Sequence, residues 1–352
     1  MARKTRLEPS IFHLPVERMR DGYYSDKYFV RTREVLQRDR HRPRVTMQVF
    51  GKAQGYLGGI DETIAILKLC SESWDELTVH ALYDGEAIAP WETVLLIEGP
   101  YDAFAHLETL YLGVLARRTR VGTNTRRVVD AAHPKQVMFF PARHDHWLVQ
   151  TGDGYAAHIA GAIGVSTDAQ ASWWGSEGIG TVPHGLIAAY GGDTVRASRK
   201  FADLTDPAIR LITLVDFEND CVRTSLEVAR ALGDRLYGVR LDTSETLVDR
   251  SIVPQMGMFR PTGVNPQLVR NVREALDREG FRHVRIVVSG GFTVDKIRHF
   301  EEQSVPVDMY GVGSSLFQGR FDFTADVVLL EGKPCAKVGR SYQPNPRLER
   351  VE

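Results

Sequence analysis

The 352-residue chain is poor in cysteine, and its three cysteines, Cys70, Cys221 and Cys335, are far apart and form no CxxC pair. An odd number of widely spaced cysteines predicts neither a disulfide framework nor a zinc ribbon. The sequence also lacks an apolar run of about 18 residues, which a membrane-spanning helix needs. Its basic start, MARKTRLEPS, leads into no apolar signal-peptide core. We therefore expect a reduced, soluble, cytoplasmic protein.

The chain also lacks a charge excess, because 44 Lys and Arg residues stand against 45 Asp and Glu, giving a net charge of −1. Such a balance gives no general attraction to nucleic acid or to an anionic membrane, so we expect neither as a partner. No GxGxxG motif follows an early strand, so the dinucleotide-binding fingerprint is absent. The length allows two domains, or one barrel with an addition.

The first third of the chain has mixed strand and helix patterns. Residues 44–52 alternate like a strand, and residues 77–101 contain strand-like runs separated by turn signals. Near the C-terminus, Glu331, Gly332 and Lys333 indicate a hairpin, which we expect to return to this β region. The tail after Tyr342 is predicted to be loose. These patterns favour an α/β N-terminal domain over residues 1–118, with residues 320–352 returning to it.

After residue 118 the pattern changes to strands that alternate with amphipathic helices. The strand candidates are residues 137–142, 209–215, 236–241, 285–288 and 309–312. Regular alternation of this kind predicts a parallel sheet and, over residues 119–319, a (β/α) barrel. An open doubly wound sheet is the alternative.

Two glycine turns follow neighbouring predicted strands late in the chain. Glycine lets the backbone approach a ligand closely, and free N–H groups at such turns bind anions. Barrels often bind phosphate on the loops after their last strands, whereas a single glycine loop is more often an ordinary turn. Two such loops in successive βα units favour a phosphate site. Its candidate residues are Ser289, Gly290, Gly291, Gly311, Gly313 and Ser314.

Charged residues stand at the predicted C-terminal ends of other strands, where barrels carry their functional residues. These are Arg143, Asp216, Arg240 and Asp242. Arginine pairs with phosphate or carboxylate oxygens, and carboxylates bind ribose hydroxyls or hold Mg²⁺. The spacing of Arg240 and Asp242 puts them on one face of a strand, where they contact one ligand or form a salt bridge with each other. We predict a site for an anionic, polyhydroxylated ligand with a metal ion.

Two histidine motifs leave alternatives open. In GTVPHG, Pro183 suits the start of a helix and places His184 in its first turn. His184 is then either a surface residue near a helix cap or part of the active-site mouth. RHDHW contains His144 and His146, an HxH pair that in barrel hydrolases can begin a metal site. No downstream Lys, His and Asp set follows at strand ends in the order that such hydrolases need.

The ordered motifs DKYFVRT, GTVPHG, RLDT, VSGG and GVGSS resemble those of the nicotinate phosphoribosyltransferases, within the type II phosphoribosyltransferases, and most of all the short archaeal-type members. The resemblance runs from Ser25 to Phe317. It implies an irregular (β/α) barrel with an α/β N-terminal domain completed by the C-terminal segment. It also implies a homodimer or higher homo-oligomer with shared active sites, acting in NAD salvage. The reaction joins nicotinate to phosphoribosyl pyrophosphate with Mg²⁺, and ATP hydrolysis is an open addition.

At the base-binding end, the resemblance implies roles for four residues. Tyr28 would reach the site of the partner subunit and stack on the pyridine ring, with Phe140 forming the other side of the stack. Arg143 would lie near the carboxylate and phosphate. Thr181, in the GTVPHG motif, is expected to bind substrate.

At the phosphate end, the resemblance assigns Asp216, Arg240 and Asp242 to the ribose and the Mg-pyrophosphate. The two glycine turns would cradle the 5′-phosphate. His184 matches the histidine that some relatives phosphorylate from ATP to drive the reaction.

The chain departs from the family pattern at Ile163, where relatives usually carry an acid after AHIAGA. In nicotinamide-using relatives this acid helps to select the amide, so its loss fits a carboxylate substrate. The run from Asp216 to Asp220 is also altered, and the two changes support a catalytically silent nucleotide-binding regulator as an alternative. Nicotinamide and quinolinate are the other candidate bases. Quinolinate would need a denser cluster of Arg, Lys and His for its two carboxylates.

Overall fold

The computed structural model describes residues 5–257 and 259–352. They form two compact units. The first contains the residues up to Thr123 together with Thr151–Ala160 and Gly319–Glu352, and the second contains Asn124–Gln150 and Gly161–Gln318. The boundary expected at residue 118 differs from this division, as does the expected place of residues 151–160 in the barrel.

The described residues contain fourteen strands and twelve α-helices. The strands are β1 (Arg44–Gly51), β2 (Gly55–Tyr56), β3 (Thr78–Ala81), β4 (Ala87–Ile88), β5 (Thr93–Pro100), β6 (Gln136–Phe139), β7 (Gly164–Val165), β8 (Leu211–Leu214), β9 (Leu236–Leu241), β10 (Arg285–Val288), β11 (Met309–Val312), β12 (Phe323–Leu330), β13 (Lys333–Pro334) and β14 (Glu349–Arg350). The helices are α1 (Val16–Arg20), α2 (Lys27–Arg38), α3 (Ile60–Cys70), α4 (Tyr101–Phe104), α5 (Glu108–Ala132), α6 (Gln150–Ile159), α7 (Asp168–Ala171), α8 (His184–Ala189), α9 (Thr194–Leu204), α10 (Cys221–Leu232), α11 (Pro266–Arg278) and α12 (Val294–Glu302).

The first unit is built on an antiparallel sheet with the strand order β13-β12-β1-β5-β3-β14. Strand β12 pairs along the length of β1, from Val45 opposite Leu330 to Gly51 opposite Phe323. The expected return of the C-terminal segment to the N-terminal β region is therefore confirmed. One face of the sheet packs on α3, which is almost wholly buried because both helix and sheet are apolar where they meet.

The prediction of a loose tail after Tyr342 is wrong. Thr93 Oγ1 donates a hydrogen bond to the carbonyl oxygen of Gln343 at 2.9 Å, and Asn345 Nδ2 donates to the carbonyl of Thr93 at 2.8 Å. Strand β14 then pairs with β3. The tail is polar, so its apolar pattern is weak, and backbone pairing holds it to the sheet.

The first unit also contains a buried network of charges. Asp153 on α6 receives Arg117 Nη2 at 2.8 Å and Arg118 Nη1 at 2.9 Å. Arg118 Nε also donates to Glu62 Oε2 at 2.9 Å. The Asp153 side chain is only 1% exposed. Every carboxylate in this network faces an arginine, which is the condition for keeping buried charges.

The second unit is built on a parallel sheet with the strand order β7-β6-β11-β10-β9-β8. Two backbone hydrogen bonds from the same irregular segment join the sheet's two edge strands. Ile179 N donates to Val165 O on β7 at 2.7 Å, and Val182 N donates to Ile212 O on β8 at 2.8 Å. The sheet therefore closes through residues 179–182, which gives the expected irregular (β/α) barrel.

Apolar runs explain why these strands lie in the barrel wall. Strands β8 and β11 are buried at every position, as expected for parallel strands covered by helices. Several following helices begin with a capping side chain, such as Asn265 before α11 and Thr293 before α12. Strand ends and helix starts therefore lie at one edge of the barrel. Among the described residues, no helix is long and apolar enough to cross a membrane.

Candidate active site

A cavity of about 740 Å³ opens at the C-terminal edge of the barrel strands, within the second unit. Its walls come from the segments that follow β6, β7, β9, β10 and β11, and from the start of α8. Parallel strands bring all of these ends to one edge, which is why residues far apart in sequence meet here. The predicted site residues that line it are Phe140, Arg143, Thr181, His184, Arg240, Asp242, Ser289, Gly290, Gly291, Gly311, Gly313 and Ser314.

Arg240 and Asp242 form the centre of a polar network on the cavity wall. Arg240 Nη2 lies 3.4 Å from Asp242 Oδ2, so the two side chains form a salt bridge and line the cavity as well. Arg240 Nε donates to Ser289 Oγ at 2.8 Å, and Ser289 Oγ donates to Asp242 Oδ1 at 2.6 Å. Arg240 Nη1 also donates to Thr181 Oγ1 at 3.3 Å. Both charged side chains remain about one-fifth exposed, at 19% and 22%, and so stay accessible to a ligand.

The glycine turn after β10 requires glycine at Gly291. Its φ of +65° is strained for other residues, and a Cβ there would also require the Glu245 carboxylate to move. Gly311 is needed for a different reason, since a Cβ would lie 2.7 Å from the Phe140 ring. The two turns therefore place bare backbone against the cavity, and the Phe140 ring lies directly over the second one.

The aromatic end of the cavity is formed by Phe140, with Arg143 and His144 beside it. The Phe140 backbone N–H donates to Val312 O at 2.8 Å, which fixes the start of this loop against β11. Arg240 Cζ lies 5.1 Å from the centre of the Phe140 ring. Among the described residues, Arg143 has no acidic partner, whereas Arg240 is paired with Asp242. A flat ring with a free guanidinium beside it suits a planar, anionic ligand.

His184 stands in the first turn of α8 and reaches Asp216, which follows β8. His184 Nε2 lies 2.9 Å from Asp216 Oδ1. This hydrogen bond is the main reason that the pKa of His184 is raised, while burial opposes it. Asp216 is 9% exposed and contacts the cavity through His184 rather than lining it. Because Asp216 engages Nε2, Nδ1 is the ring nitrogen left for a ligand.

Tyr28 lies in the first unit, near the start of α2, and its side chain is largely exposed. Its ring contacts Phe29, with the ring centres 4.2 Å apart. The expected stack on a pyridine ring in a partner subunit stays a prediction.

The HxH motif has a local structural role. His146 accepts a hydrogen bond from Leu148 N at 3.2 Å through Nδ1, and this caps a short 3-10 turn. His144 lines the cavity next to Gly313. In residues 5–257 and 259–352, no three His, Cys, Asp or Glu side chains converge as metal ligands.

Sequence reasoning missed several lining residues. Ser166 follows the two-residue strand β7, which is too short to give a period-two signal. Glu245 lies four residues beyond β9, and Gln318 follows the second glycine turn. Thr293 could have been found, because a Thr before an amphipathic helix is an N-cap signal.

Comparison with known proteins gives matches over nearly the whole chain. A family model described as quinolinate phosphoribosyl transferase, N-terminal domain, matches residues 26–119. The crystal structure of a nicotinate-nucleotide pyrophosphorylase from Pyrococcus furiosus is 31% identical, with a TM-score of 0.81, over 96% of this chain and 85% of that one.

A nicotinate phosphoribosyltransferase from Mycobacterium tuberculosis is 28% identical in an alignment of 363 positions that covers 92% of this chain and 76% of the relative. The human nicotinic acid phosphoribosyltransferase structure is 17% identical with a TM-score of 0.69, covering 88% of this chain and 75% of that one. At that identity, the human structure shows a common fold alone.

Proposed function

The chain belongs to the type II phosphoribosyltransferase family, and from that premise we propose that it joins nicotinate to phosphoribosyl pyrophosphate. The products are nicotinate mononucleotide and pyrophosphate, and the role is salvage of the base for NAD. The family identification agrees with the ordered motifs in the sequence, and the chain is an enzyme of the phosphoribosyltransferase class.

The observation that carries the choice of nicotinate is the pairing of charges at the aromatic end of the cavity. Among the described residues, Arg143 has no acidic partner, while Arg240 is held by Asp242, Ser289 and Thr181. One free guanidinium beside Phe140 matches the single carboxylate of nicotinate. Similarity over 92% of the chain to a nicotinate phosphoribosyltransferase supports the same choice.

In this reaction the protein would position the two substrates and neutralise the charge of the leaving pyrophosphate. The pyridine nitrogen carries no proton near neutral pH, so its attack on C1 of the ribose needs no base. The bond from C1 to the pyrophosphate oxygen breaks as the bond from C1 to nitrogen forms, and positive charge builds on the ribose. Phe140 would hold the ring flat, and the glycine turns would fix the 5′-phosphate. Preorganised groups of this kind lower the barrier without rearrangement during the reaction.

Arg240 and Asp242, on the cavity wall, would act on the phosphate groups of phosphoribosyl pyrophosphate. Arg240 is fixed by three partners, so its guanidinium meets phosphate oxygens without a large entropy cost. Asp242 fits an Mg²⁺ site, because Mg²⁺ at phosphates takes one or two carboxylates together with phosphate oxygens and water. Bound with the substrate, Mg²⁺ would supply charge neutralisation for the leaving pyrophosphate.

His184 is the proposed point of ATP coupling. The Asp216 carboxylate engages Nε2 and raises the pKa of the ring. Nδ1 would then be the phosphate acceptor, and the carboxylate would stabilise the charge that develops on the imidazole. A His184→Gln variant is expected to keep the basal reaction and lose any stimulation by ATP.

The second candidate base is quinolinate, because the matching family model and the Pyrococcus furiosus structure carry names related to that activity. The test is pyrophosphate release by the purified protein with Mg²⁺ and phosphoribosyl pyrophosphate. Nicotinate, nicotinamide and quinolinate are offered separately, each with and without ATP. Release with nicotinate alone is the expected result. Release with quinolinate and none with nicotinate would overturn the proposal and leave the family identification standing.

A further inference from the structure

A second cavity, of about 530 Å³, lies beside the candidate active site within the second unit. Its walls come from the loop after β9, from the start of α11 and from one side of α12. It shares Glu245, Gly291 and Thr293 with the first cavity. None of the roles proposed above uses its other residues. The volume is in the range of small-molecule sites, so the cavity can hold a metabolite.

Four basic side chains line this second cavity: Arg260, Arg270, Lys296 and His299. Their hydrogen-bond partners are neutral. Arg270 donates to the carbonyl of Gln303 at 2.8 Å, and Lys296 donates to the carbonyl of Gly290 at 3.1 Å.

The other two basic side chains also bond neutral groups. Arg260 donates to the Thr262 hydroxyl at 3.4 Å, and His299 accepts from the amide of Gln303 at 2.9 Å. Among the described lining residues, Glu245 is the only carboxylate.

Other arginines on α11, in contrast, do have acidic partners. On α11, Arg273 pairs with Asp277 at 2.7 Å and Arg278 pairs with Glu274 at 3.2 Å. Arg270 is on the same helix, faces the cavity, and has no ion pair among the described residues. Like charges gathered around a concave surface repel one another and focus a positive potential into it. Burial lowers the pKa of Lys296, and an anion bound in the cavity would favour its charged form.

We propose that the second cavity binds the polyphosphate group of a small metabolite. Arg260, Arg270 and Lys296 would supply the charge-assisted hydrogen bonds, which are the strongest that a phosphate accepts. The side-chain amides of Asn265 and Gln267 line the same wall. Apart from Gly291, its lining residues have no role in the proposed reaction, so the site does not depend on which base the enzyme uses.

The test uses the full-length protein and inorganic triphosphate as the probe. Binding is followed by calorimetry and by the side-chain NMR signals of the histidines, with His299 assigned from a His299→Gln variant. Triphosphate is expected to shift the His299 ring signals, because His299 lines the second cavity. The His184 signals report separately on the first cavity.

Arg270→Gln is the diagnostic variant, because Arg270 lines the second cavity and not the first. It is expected to weaken the binding that moves His299 by about tenfold or more. Arg278→Gln is the matched control, since it removes one charge from the same helix at a side chain that is 78% exposed. It should bind as the wild type does, and its circular dichroism checks the fold. Lys296 is not used as a test variant, because it also holds the Gly290 carbonyl.

If triphosphate moves only the His184 signals, or if Arg270→Gln and Arg278→Gln bind equally well, the proposal is overturned. A parallel titration with ATP identifies the source of the phosphates. Binding at least tenfold tighter than inorganic triphosphate would indicate a nucleotide, and equal binding would indicate that the phosphates alone are recognised. Both results support a polyphosphate site.

Discussion

The two units of this protein each hold a network of charged side chains, and the networks differ in how completely they are paired. In the first unit, Arg117, Arg118, Glu62 and Asp153 pair with one another around the Asp153 carboxylate, whose side chain is 1% exposed. At the barrel mouth, the salt bridge between Arg240 and Asp242 is accessible to a ligand. Buried charges that satisfy one another serve the fold, whereas accessible charges with unused hydrogen-bonding capacity serve a ligand.

The same comparison distinguishes structural arginines from ligand-facing ones, although the two kinds look alike in the sequence. The run Arg117-Arg118-Thr119-Arg120 reads as a solvated helix face or an anion patch. The structure instead places Arg118 with only 11% of its side chain exposed, between Glu62 and Asp153. Arg240 has its acidic partner two residues away in the chain, and its strand ends at the barrel mouth. Position in the fold, not local sequence, decides which arginine is structural.

Breaking the charge network around Asp153 in the first unit should have the largest effect, and that effect is on stability. Asp153→Ala leaves the charges of Arg117 and Arg118 with Glu62 as the remaining carboxylate of the network and should cost about 3–5 kcal/mol of unfolding free energy. Urea unfolding followed by circular dichroism measures it. Asp130→Ala, which removes an exposed carboxylate paired with Arg126 on the same helix, should cost less than about 1 kcal/mol. Equal losses in the two variants would contradict the comparison. If Asp153→Ala does not fold, Asp153→Asn gives a milder test.

Removing either charge of the Arg240–Asp242 salt bridge at the barrel mouth should leave the fold intact and remove activity. Arg240→Ala or Asp242→Ala is expected to lower turnover at least about a hundredfold, because each group acts on the charge that develops at the phosphates. Steady-state pyrophosphate release measures this, with thermal unfolding as the check on folding. The control is Arg235→Ala, which removes an exposed arginine paired with Asp203. Near-normal turnover in folded Arg240 or Asp242 variants would refute their assigned roles.

Removing the Ser289 hydroxyl, which connects Arg240 and Asp242, should have a smaller effect on activity. Ser289 accepts from Arg240 and donates to Asp242, so Ser289→Ala loosens both without removing a charge. We expect kcat/KM to fall about tenfold, the loss that one hydrogen bond to a charged group accounts for. Ser244→Ala, on the exposed loop after β9, is the matched control. An unchanged kcat/KM in Ser289→Ala would mean that the charges hold their positions without this hydroxyl.

The smallest expected effect is the pH dependence of the His184 contact. The pKa of His184 is raised by its hydrogen bond to Asp216. A raised pKa in the folded state adds stability below the ordinary value of about 6.5, and that stability is lost as pH rises through the raised value. The wild type should therefore exceed His184→Gln in stability by more at pH 5.5 than at pH 9.

Because the side chain of His184 is 43% exposed, this pH-dependent difference should be at most about 1 kcal/mol. It is measured by denaturant unfolding at the two pH values, and it should vanish in an Asp216→Asn background. A larger difference at pH 9 than at pH 5.5 would reverse the expected sign.

Local pattern predicted the barrel elements well where the apolar signal was strong. The bounds expected for β9, β10 and β11 agree with the structure. The strand expected over residues 137–142 ends at Phe139, because Pro141 begins a turn and has no N–H to donate. Helix α5 runs past the domain boundary expected at residue 118 to Ala132, because the residues from 119 to 132 contain no proline.

The chain's sequence by itself determined the βα rhythm, the two glycine turns and the residues at the strand ends, since these depend on local periodicity and backbone freedom. Tertiary structure alone decided that residues 179–182 close the barrel and that Asp216 pairs with His184. It also gathered Arg260, Arg270, Lys296 and His299 around one cavity. The physical reason is that such contacts join residues distant in the chain, so their energies appear only when the strands and helices pack.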